Sequence, residues 1–133
     1  MEATPKQKFS ALYTSEPQLT RALAAEFRHD PQATARYFSS LLGVKLGELT
    51  DVGCEKDQHV DILLEFEHST IAIEAKIDHA ISEDQLERES TVADYLMLLL
   101  LDADDAAEYL DQVAHVLTWK EVLSKFPDAR VLL

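Results

Sequence analysis

The sequence predicts an α/β protein in which helices flank a mixed central sheet, with elements in the order helix, three strands, helix, strand, helix. Three observations predict this fold: a helical spacing of apolar residues over 16–42, an alternation of period two over 44–78, and a continuous apolar run from Tyr95 to Leu101. The chain has 133 residues, of which 47% are hydrophobic. That length and content suit one domain with a single core, expected to span residues 1–133.

The first helical region is predicted to run from Glu16 to about Leu42. Apolar residues recur at the helical spacing of four between residues 19 and 27. Asp30-Pro31 is expected to divide the region into two helices, because the residue before a proline disfavours the helical conformation. Gly43 is expected to end the second helix.

The run of period two divides into three strands. Alternating apolar and polar residues favour strands, here at Leu46–Cys54, Val60–Phe66 and Thr70–Ile77. The strands are close together in the sequence, so we expect a three-stranded antiparallel meander.

The second half of the chain supplies the remaining elements. The stretch SEDQLERES begins with a serine and two acids, which favour the first turn of a short helix. Tyr95–Leu101 is too short for a free-standing helix and is predicted to be a central strand covered on both faces. From Asp104 or Asp105 to about Phe126, the apolar spacing predicts a closing amphipathic helix.

A turn at His68-Ser69 would fix which residues of the second and third strands oppose one another. Alternation then places one wholly apolar set on one face and brings Asp61, Glu74 and Lys76 together on the other. The expected cross-strand pairs are Asp61 with Lys76, Leu63 with Glu74, and Phe66 with Ile71.

This trio has the composition of a hydrolytic metal site. Two carboxylates from adjacent strands can bind a hard divalent cation such as Mg²⁺, which takes oxygen ligands and keeps several waters. A lysine beside them can orient or deprotonate the attacking water, or offset charge on a phosphate. These are the parts for phosphodiester hydrolysis. The same residues also fit a solvated strand face with a cross-strand ion pair worth a few tenths of a kcal/mol, and the pattern alone leaves both interpretations open.

The segments VDILLEF, IAIEAKID and EDQL resemble, in order and distance, the motif of the PD-(D/E)XK nuclease superfamily. The resemblance implies a restriction-endonuclease-like core and a PD-(D/E)XK nuclease-like domain that binds Mg²⁺ or Mn²⁺. It implies Asp61 and Glu74 as metal ligands, Lys76 as the catalytic lysine and Gln85 as a supporting site residue. It also implies the main-chain carbonyl of Ala75 as a further ligand.

The segment SEPQLTRAL is similar to the first-helix motif of bacterial members, which places an acid near the metal. That acid would be Glu16, with Glu26 as its rival; capping of the helix is an equally good explanation of Glu16. The chain departs from the family pattern at Val60, where a proline often precedes the aspartate, and at Arg88, where a tyrosine is frequent. Related chains usually continue beyond such a segment, so we expect either a trimmed core or a fragment of a longer protein.

Charge is distributed unevenly along the chain. The first 50 residues carry five acids and six bases, so residues 51–133 carry −14 of the total net charge of −13. Nucleic acid is therefore expected to bind only weakly through this domain alone, by way of the first third, where Arg21 and Arg28 share a helix face. The acidic remainder predicts an alternative function, a nuclease-like interaction module that binds a basic protein partner.

The sequence also bears on location and assembly. The longest apolar run is far below the roughly 20 residues of a membrane span, and no secretory signal is recognisable, so no membrane partner is expected. A single cysteine, Cys54, excludes an internal disulfide framework and favours the cytoplasm. The apolar C-terminus VLL predicts a homodimer as a further alternative.

Overall fold

A computed structural model gives the fold of the chain for residues 16–56, 60–75, 87, 91–100 and 113–126. These residues form an α/β structure with a five-stranded mixed sheet. No helix among them is long and apolar enough to cross a membrane. The elements are, in chain order, helices α1 (Glu16–His29) and α2 (Pro31–Leu42), strands β1 (Leu49–Lys56), β2 (Val60–Phe66), β3 (Thr70–Ala75), β4 (Tyr95–Leu100) and β5 (His115–Thr118), and helix α3 (Trp119–Leu123).

The predicted division of the first helical region is confirmed. Asp30 separates α1 from α2 and caps α2, since its side chain accepts a hydrogen bond from the N–H of Ala33 at 3.0 Å. Gly43 ends α2 in the left-handed conformation, with φ 66°, which glycine adopts without a steric penalty. The Gly43 N–H donates to the carbonyl of Ser39.

The sheet has the order β1-β2-β3-β4-β5. Strands β1, β2 and β3 form the antiparallel meander that alternation predicts, and β2 has the predicted bounds. Strand β4 is central, as expected, and joins β3 in parallel. Of the short helix predicted between β3 and β4, the structure describes only Glu87, which is helical.

The prediction of one closing helix up to Phe126 is wrong for the part that the structure describes. Residues 115–118 form β5, which pairs in parallel with β4 through Leu99 and Leu117. Only Trp119–Leu123 is helical. Apolar residues three and four apart fit either structure over so short a stretch, and the exposed edge of β4 decides in favour of a strand by offering main-chain partners.

The sheet is buried on both faces. The first face carries α1, α2 and α3 and forms the larger cluster with Ile62, Leu64, Ile73 and Met97. The second face carries a smaller cluster. Strand alternation predicts Val60, Ile62, Leu64 and Phe66 together on one apolar face; that prediction is wrong for Val60, which belongs to the second cluster. The residues of the second cluster are Val60, Leu63, Ala72, Leu96, Leu98 and Leu100.

Candidate functional site

The site is built on the hairpin of β2 and β3, whose register differs by two residues from the predicted one. The structure pairs Leu63 with Ala72 and Leu64 with Ile71. The reversal lies at Glu67-His68, one residue earlier than predicted, and the N–H of Phe66 donates to the carbonyl of Ser69 at 2.9 Å. The expected pairs Leu63–Glu74 and Phe66–Ile71 are therefore wrong. Lys76, the expected partner of Asp61, lies outside the described residues.

The segment before β1 explains where the hairpin turns. The N–H of Glu67 donates to the carbonyl of Glu48 at 2.9 Å, and the N–H of His68 donates to the carbonyl of Leu46 at 3.0 Å. The Glu67 side chain accepts from the N–H of Glu48 at 2.7 Å. These contacts fix residues 67 and 68 as the turn, so the register is set from about twenty residues away in the sequence.

The shift of two residues preserves which side chains share a face, because strand alternation has a period of two. Continuing the observed register one step beyond Ile62–Ile73 sets Asp61 opposite Glu74. The Phe66–Ser69 hydrogen bond marks the even-numbered residues of β2 as the hydrogen-bonded pairs. In that continued register Asp61 and Glu74 would be a non-hydrogen-bonded pair, the kind in which opposed side chains lie closest.

A hydrogen bond holds Asp61 at this position. The N–H of Ala75 donates to Oδ2 of Asp61 at 2.8 Å, so the side chain is held at the end of β3, beside Glu74. A carboxylate has two oxygens and about four lone-pair positions. Asp61 can therefore accept from Ala75 and also contribute to binding a cation.

The two carboxyl groups differ in burial. Glu74 is 0% exposed, and on β3 it follows Ala72 on the apolar second face and stands beside Leu98 of β4. Asp61 is half-buried. Burial of a carboxylate costs several kcal/mol unless a cation or hydrogen-bond donors compensate it. The pair thus combines one enclosed carboxyl with one that solvent reaches.

The two carboxyl groups lie at one end of the sheet, where β3 finishes and β2 begins. Glu74 and Ala75 end β3, and Asp61 stands at the start of β2, which runs the opposite way. The carboxyl ends of the parallel strands β4 and β5 meet at the same edge. In open α/β sheets this is the edge at which ligands bind.

The structure brings Asp61 into contact with the main chain of Ala75, and Glu74 precedes Ala75 on β3. Lys76 and Gln85 lie outside the described residues. Glu16 begins α1, and its side chain also lies outside them. Glu26 is buried, with 4% exposure, on α1, the helix that covers the first face.

The described groups fit a particular kind of metal site. Among residues 16–56, 60–75, 91–100 and 113–126, no group of three or more His, Cys, Asp or Glu side chains is arranged to hold a metal ion. Two carboxylates and a main-chain carbonyl suit Mg²⁺, which uses one or two protein carboxylates and retains water. They do not suit Zn²⁺, whose sites take nitrogen and sulfur ligands.

Sequence reasoning missed two features of this site. The hydrogen bond from Ala75 to Asp61 has no signal in the sequence, because it depends on how far β2 and β3 stay paired. The complete burial of Glu74 had one signal, the apolar run of β4 that pairs beside it.

Comparison of the chain with protein-family models, with curated protein sequences and with solved structures finds no match.

Proposed function

We propose that this protein is a metal-dependent nuclease, or the core domain of one, of the PD-(D/E)XK type. Asp61 and Glu74 bind Mg²⁺ or Mn²⁺, and the main-chain carbonyl of Ala75 is a further ligand. The observation that carries the proposal is the fully buried Glu74 on β3 next to Ala75, whose N–H donates to the half-buried Asp61 of β2.

Burial argues against the simpler interpretation as a solvated strand face. An exposed ion pair gains little and requires exposed partners, whereas Glu74 has no exposed surface. Carboxyl groups are almost never fully buried unless they are paired or bind a metal. A divalent cation shared with Asp61 would compensate the burial of Glu74.

The arrangement of elements supports the same proposal. An α/β chain with a five-stranded mixed sheet and flanking helices is the fold class that the resemblance implies. Asp61 lies on β2 and Glu74 on the neighbouring strand β3.

The proposed reaction is hydrolysis of a phosphodiester in DNA or RNA. The metal, when bound, supplies a Lewis acid that polarises a phosphoryl oxygen and lowers the pKa of water. Asp61 and Glu74 hold that cation, and Lys76 orients the attacking water or offsets charge on the phosphate. Gln85 supports the site, and Glu16 or Glu26 adds a helix carboxylate. The water oxygen bonds to phosphorus as the bond to the leaving oxygen breaks, and the leaving oxygen takes up a proton.

The test is cleavage of single- and double-stranded DNA and RNA by the purified chain with Mg²⁺, with Mn²⁺ and with EDTA. Asp61→Asn, Glu74→Gln and Lys76→Ala should each lower the rate by roughly a hundredfold or more, because each removes a group that acts on the reacting centre. Glu65→Gln is the matched control, since Glu65 lies on the same face of β2 as Asp61 and should leave the rate unchanged.

Folding and metal binding separate a lost site from a lost structure. Each variant should unfold within a few degrees of the wild type, and Mn²⁺ titration by calorimetry should show binding to the wild type and to Glu65→Gln but not to Asp61→Asn. Cleavage that persists in EDTA, or that survives Asp61→Asn and Glu74→Gln together, would contradict the proposal.

The acid excess after residue 50 favours a second candidate, an interaction module for a basic protein partner. Binding of a lysine-rich polypeptide should then weaken steeply as salt is raised. It should also survive Glu74→Gln, whereas cleavage should not. A chain that binds such a partner but neither binds Mn²⁺ nor cleaves nucleic acid would establish this function in place of the first.

A further inference from the structure

A groove of about 510 Å³ lies between α2 and the residues in and just after α3. Packed rings hold its two sides together, because Phe27 of α1 contacts both Phe38 of α2 and Phe126 edge-on, with ring centroids 5.7 and 5.5 Å apart. The polar residues that line it are Arg36, Tyr37, Ser40, Glu121, Ser124 and Lys125.

Two cationic side chains of the groove make no hydrogen bond or ion pair within the part of the chain that the structure describes. The side chains of Arg36 and Lys125 are exposed, and neither has a hydrogen-bond or ion-pair partner among the described residues. One cation stands on α2 and the other just after α3, so they approach the groove from both walls. A ligand with an oxyanion, above all a doubly charged phosphate, is complementary to such a pair.

Tyr37 supplies an independent sign of a missing partner. Its side chain is 8% exposed, and its hydroxyl is buried without a hydrogen-bond partner among the described residues. Nearly all buried polar atoms have a partner, so an exception points to a ligand or a water. Burial and the Glu121 carboxylate raise the pKa of Tyr37. The hydroxyl therefore stays protonated at neutral pH and is able to donate.

Glu121 excludes a simple anion as the best ligand. Its carboxylate is exposed beside Tyr37, where it would repel a bare phosphate. It accepts hydrogen bonds from N–H or O–H groups. The Ser124 hydroxyl already donates to the carbonyl of Glu121 at 2.6 Å and so offers a ligand only its lone pairs. The complementary ligand carries an oxyanion at one end and hydrogen-bond donors at the other.

We propose that this α2–α3 groove binds a nucleoside monophosphate unit, either free or as one nucleotide of a single strand. The phosphate lies between Arg36 and Lys125, and a sugar hydroxyl or base N–H donates to Glu121. The groove shares no residue with the Asp61–Glu74 pair, so the inference does not rest on the nuclease proposal.

The test is titration of the full chain in EDTA with nucleoside monophosphates, inorganic phosphate, a nucleoside and a short single-stranded oligonucleotide. Trp119, the single tryptophan of the chain, begins α3 and provides a fluorescence signal near the groove. We expect a nucleoside monophosphate to bind with a Kd of roughly 1 mM or lower, and more tightly than inorganic phosphate or the nucleoside. An oligonucleotide that binds at least tenfold more tightly than the monophosphate identifies a strand as the ligand; equal affinity identifies the free nucleotide.

Variants locate the binding. Arg36→Gln and Lys125→Gln should each weaken nucleotide binding by about fivefold to tenfold, because each removes one charge-assisted contact. Lys120→Gln is the matched control: Lys120 is an exposed cation of α3 that does not line the groove, and its loss should leave the affinity unchanged. Glu121→Gln should strengthen the binding of inorganic phosphate. It should therefore lower the ratio of the affinity for the nucleotide to the affinity for phosphate.

Three results would overturn the proposal: no saturable binding at roughly 10 mM nucleotide, equal affinity for inorganic phosphate and nucleotide, or an equal loss of affinity in Lys120→Gln and Lys125→Gln. Nucleotide binding is measured in EDTA, where the metal that cleavage requires is absent. Failure of the nuclease proposal and failure of this one are therefore distinguishable.

Discussion

At the scale of single residues, the burial of Glu74 and of the Tyr37 hydroxyl depends on the neighbouring residues rather than on the residue type. Glu74 stands in a strand whose alternation predicts a face shared with Asp61; the observed hairpin pairs end at Ile62–Ile73, so this shared face stays a prediction. Its complete burial is a property of neighbours on β4. Tyr37 has an ordinary amphipathic helix position, and only the packing of α3 shows that its hydroxyl is enclosed.

Tyr37→Phe should leave the free energy of unfolding unchanged or raise it by about 1 kcal/mol, because the variant removes a buried hydroxyl that lacks a partner. The raised pKa of Tyr37 adds a dependence on pH. Above the ordinary value of 10.0 the unfolded state ionises while the folded state does not, so stability is lost as pH rises. The advantage of Tyr37→Phe should therefore grow above pH 10.

Urea unfolding of both proteins between pH 7 and pH 11 measures this difference. Phe38→Leu is a useful comparison, since it removes volume from the same cluster and should destabilise the chain at every pH. A Tyr37→Phe variant that is less stable than the wild type by more than about 1 kcal/mol would show that the hydroxyl has a partner in the unliganded protein.

At the scale of elements, the position of the β2–β3 turn is decided by the loop before β1. Gly47 permits the contact: its φ is +82°, and a Cβ there would lie 2.8 Å from Cβ of Glu67 and 3.0 Å from Cδ2 of His68. The close approach lets Leu46 and Glu48 accept the turn N–H groups. The register of the site therefore rests on a glycine outside it.

Gly47→Ala should destabilise the chain by about 2–4 kcal/mol, because it combines a strained positive φ with a clash against the turn. Gly43→Ala is the matched control. Gly43 also has a positive φ, of +66°, but no atom lies within 4 Å of a Cβ built there, so its cost should be about 1 kcal/mol. Urea unfolding measures both, and equal losses would show that the contact with the turn contributes nothing.

At the scale of the whole molecule, charge opposes compaction. The chain carries a net charge of −13 at pH 7, and self-repulsion of like charges destabilises the folded state. The sheet nevertheless has two buried faces, each with its own apolar cluster. Stability should therefore be sensitive to ionic strength to an unusual degree.

Raising sodium chloride from about 0.01 M to 0.15 M shortens the screening length from roughly 30 Å to 8 Å and should raise Tm by several degrees. Thermal unfolding followed by circular dichroism at pH 7 measures the change. A repeat near pH 4.6, the isoelectric point of the sequence, should show a much smaller effect. A Tm that falls with added salt at pH 7 would show that local ion pairs outweigh the net repulsion.

The sequence by itself determined the two helices of 16–42, the three-stranded meander and the central strand at residue 95, because all of these follow from the local pattern of apolar residues. Tertiary structure alone decided the register of the hairpin, the strand at 115–118 and the burial of Glu74. A register shift of two residues leaves a period of two unchanged, so the alternation of apolar residues gives no information about it. The contacts that settle the register, the strand and the burial come from distant segments: the loop at residues 46–48 and the strand β4.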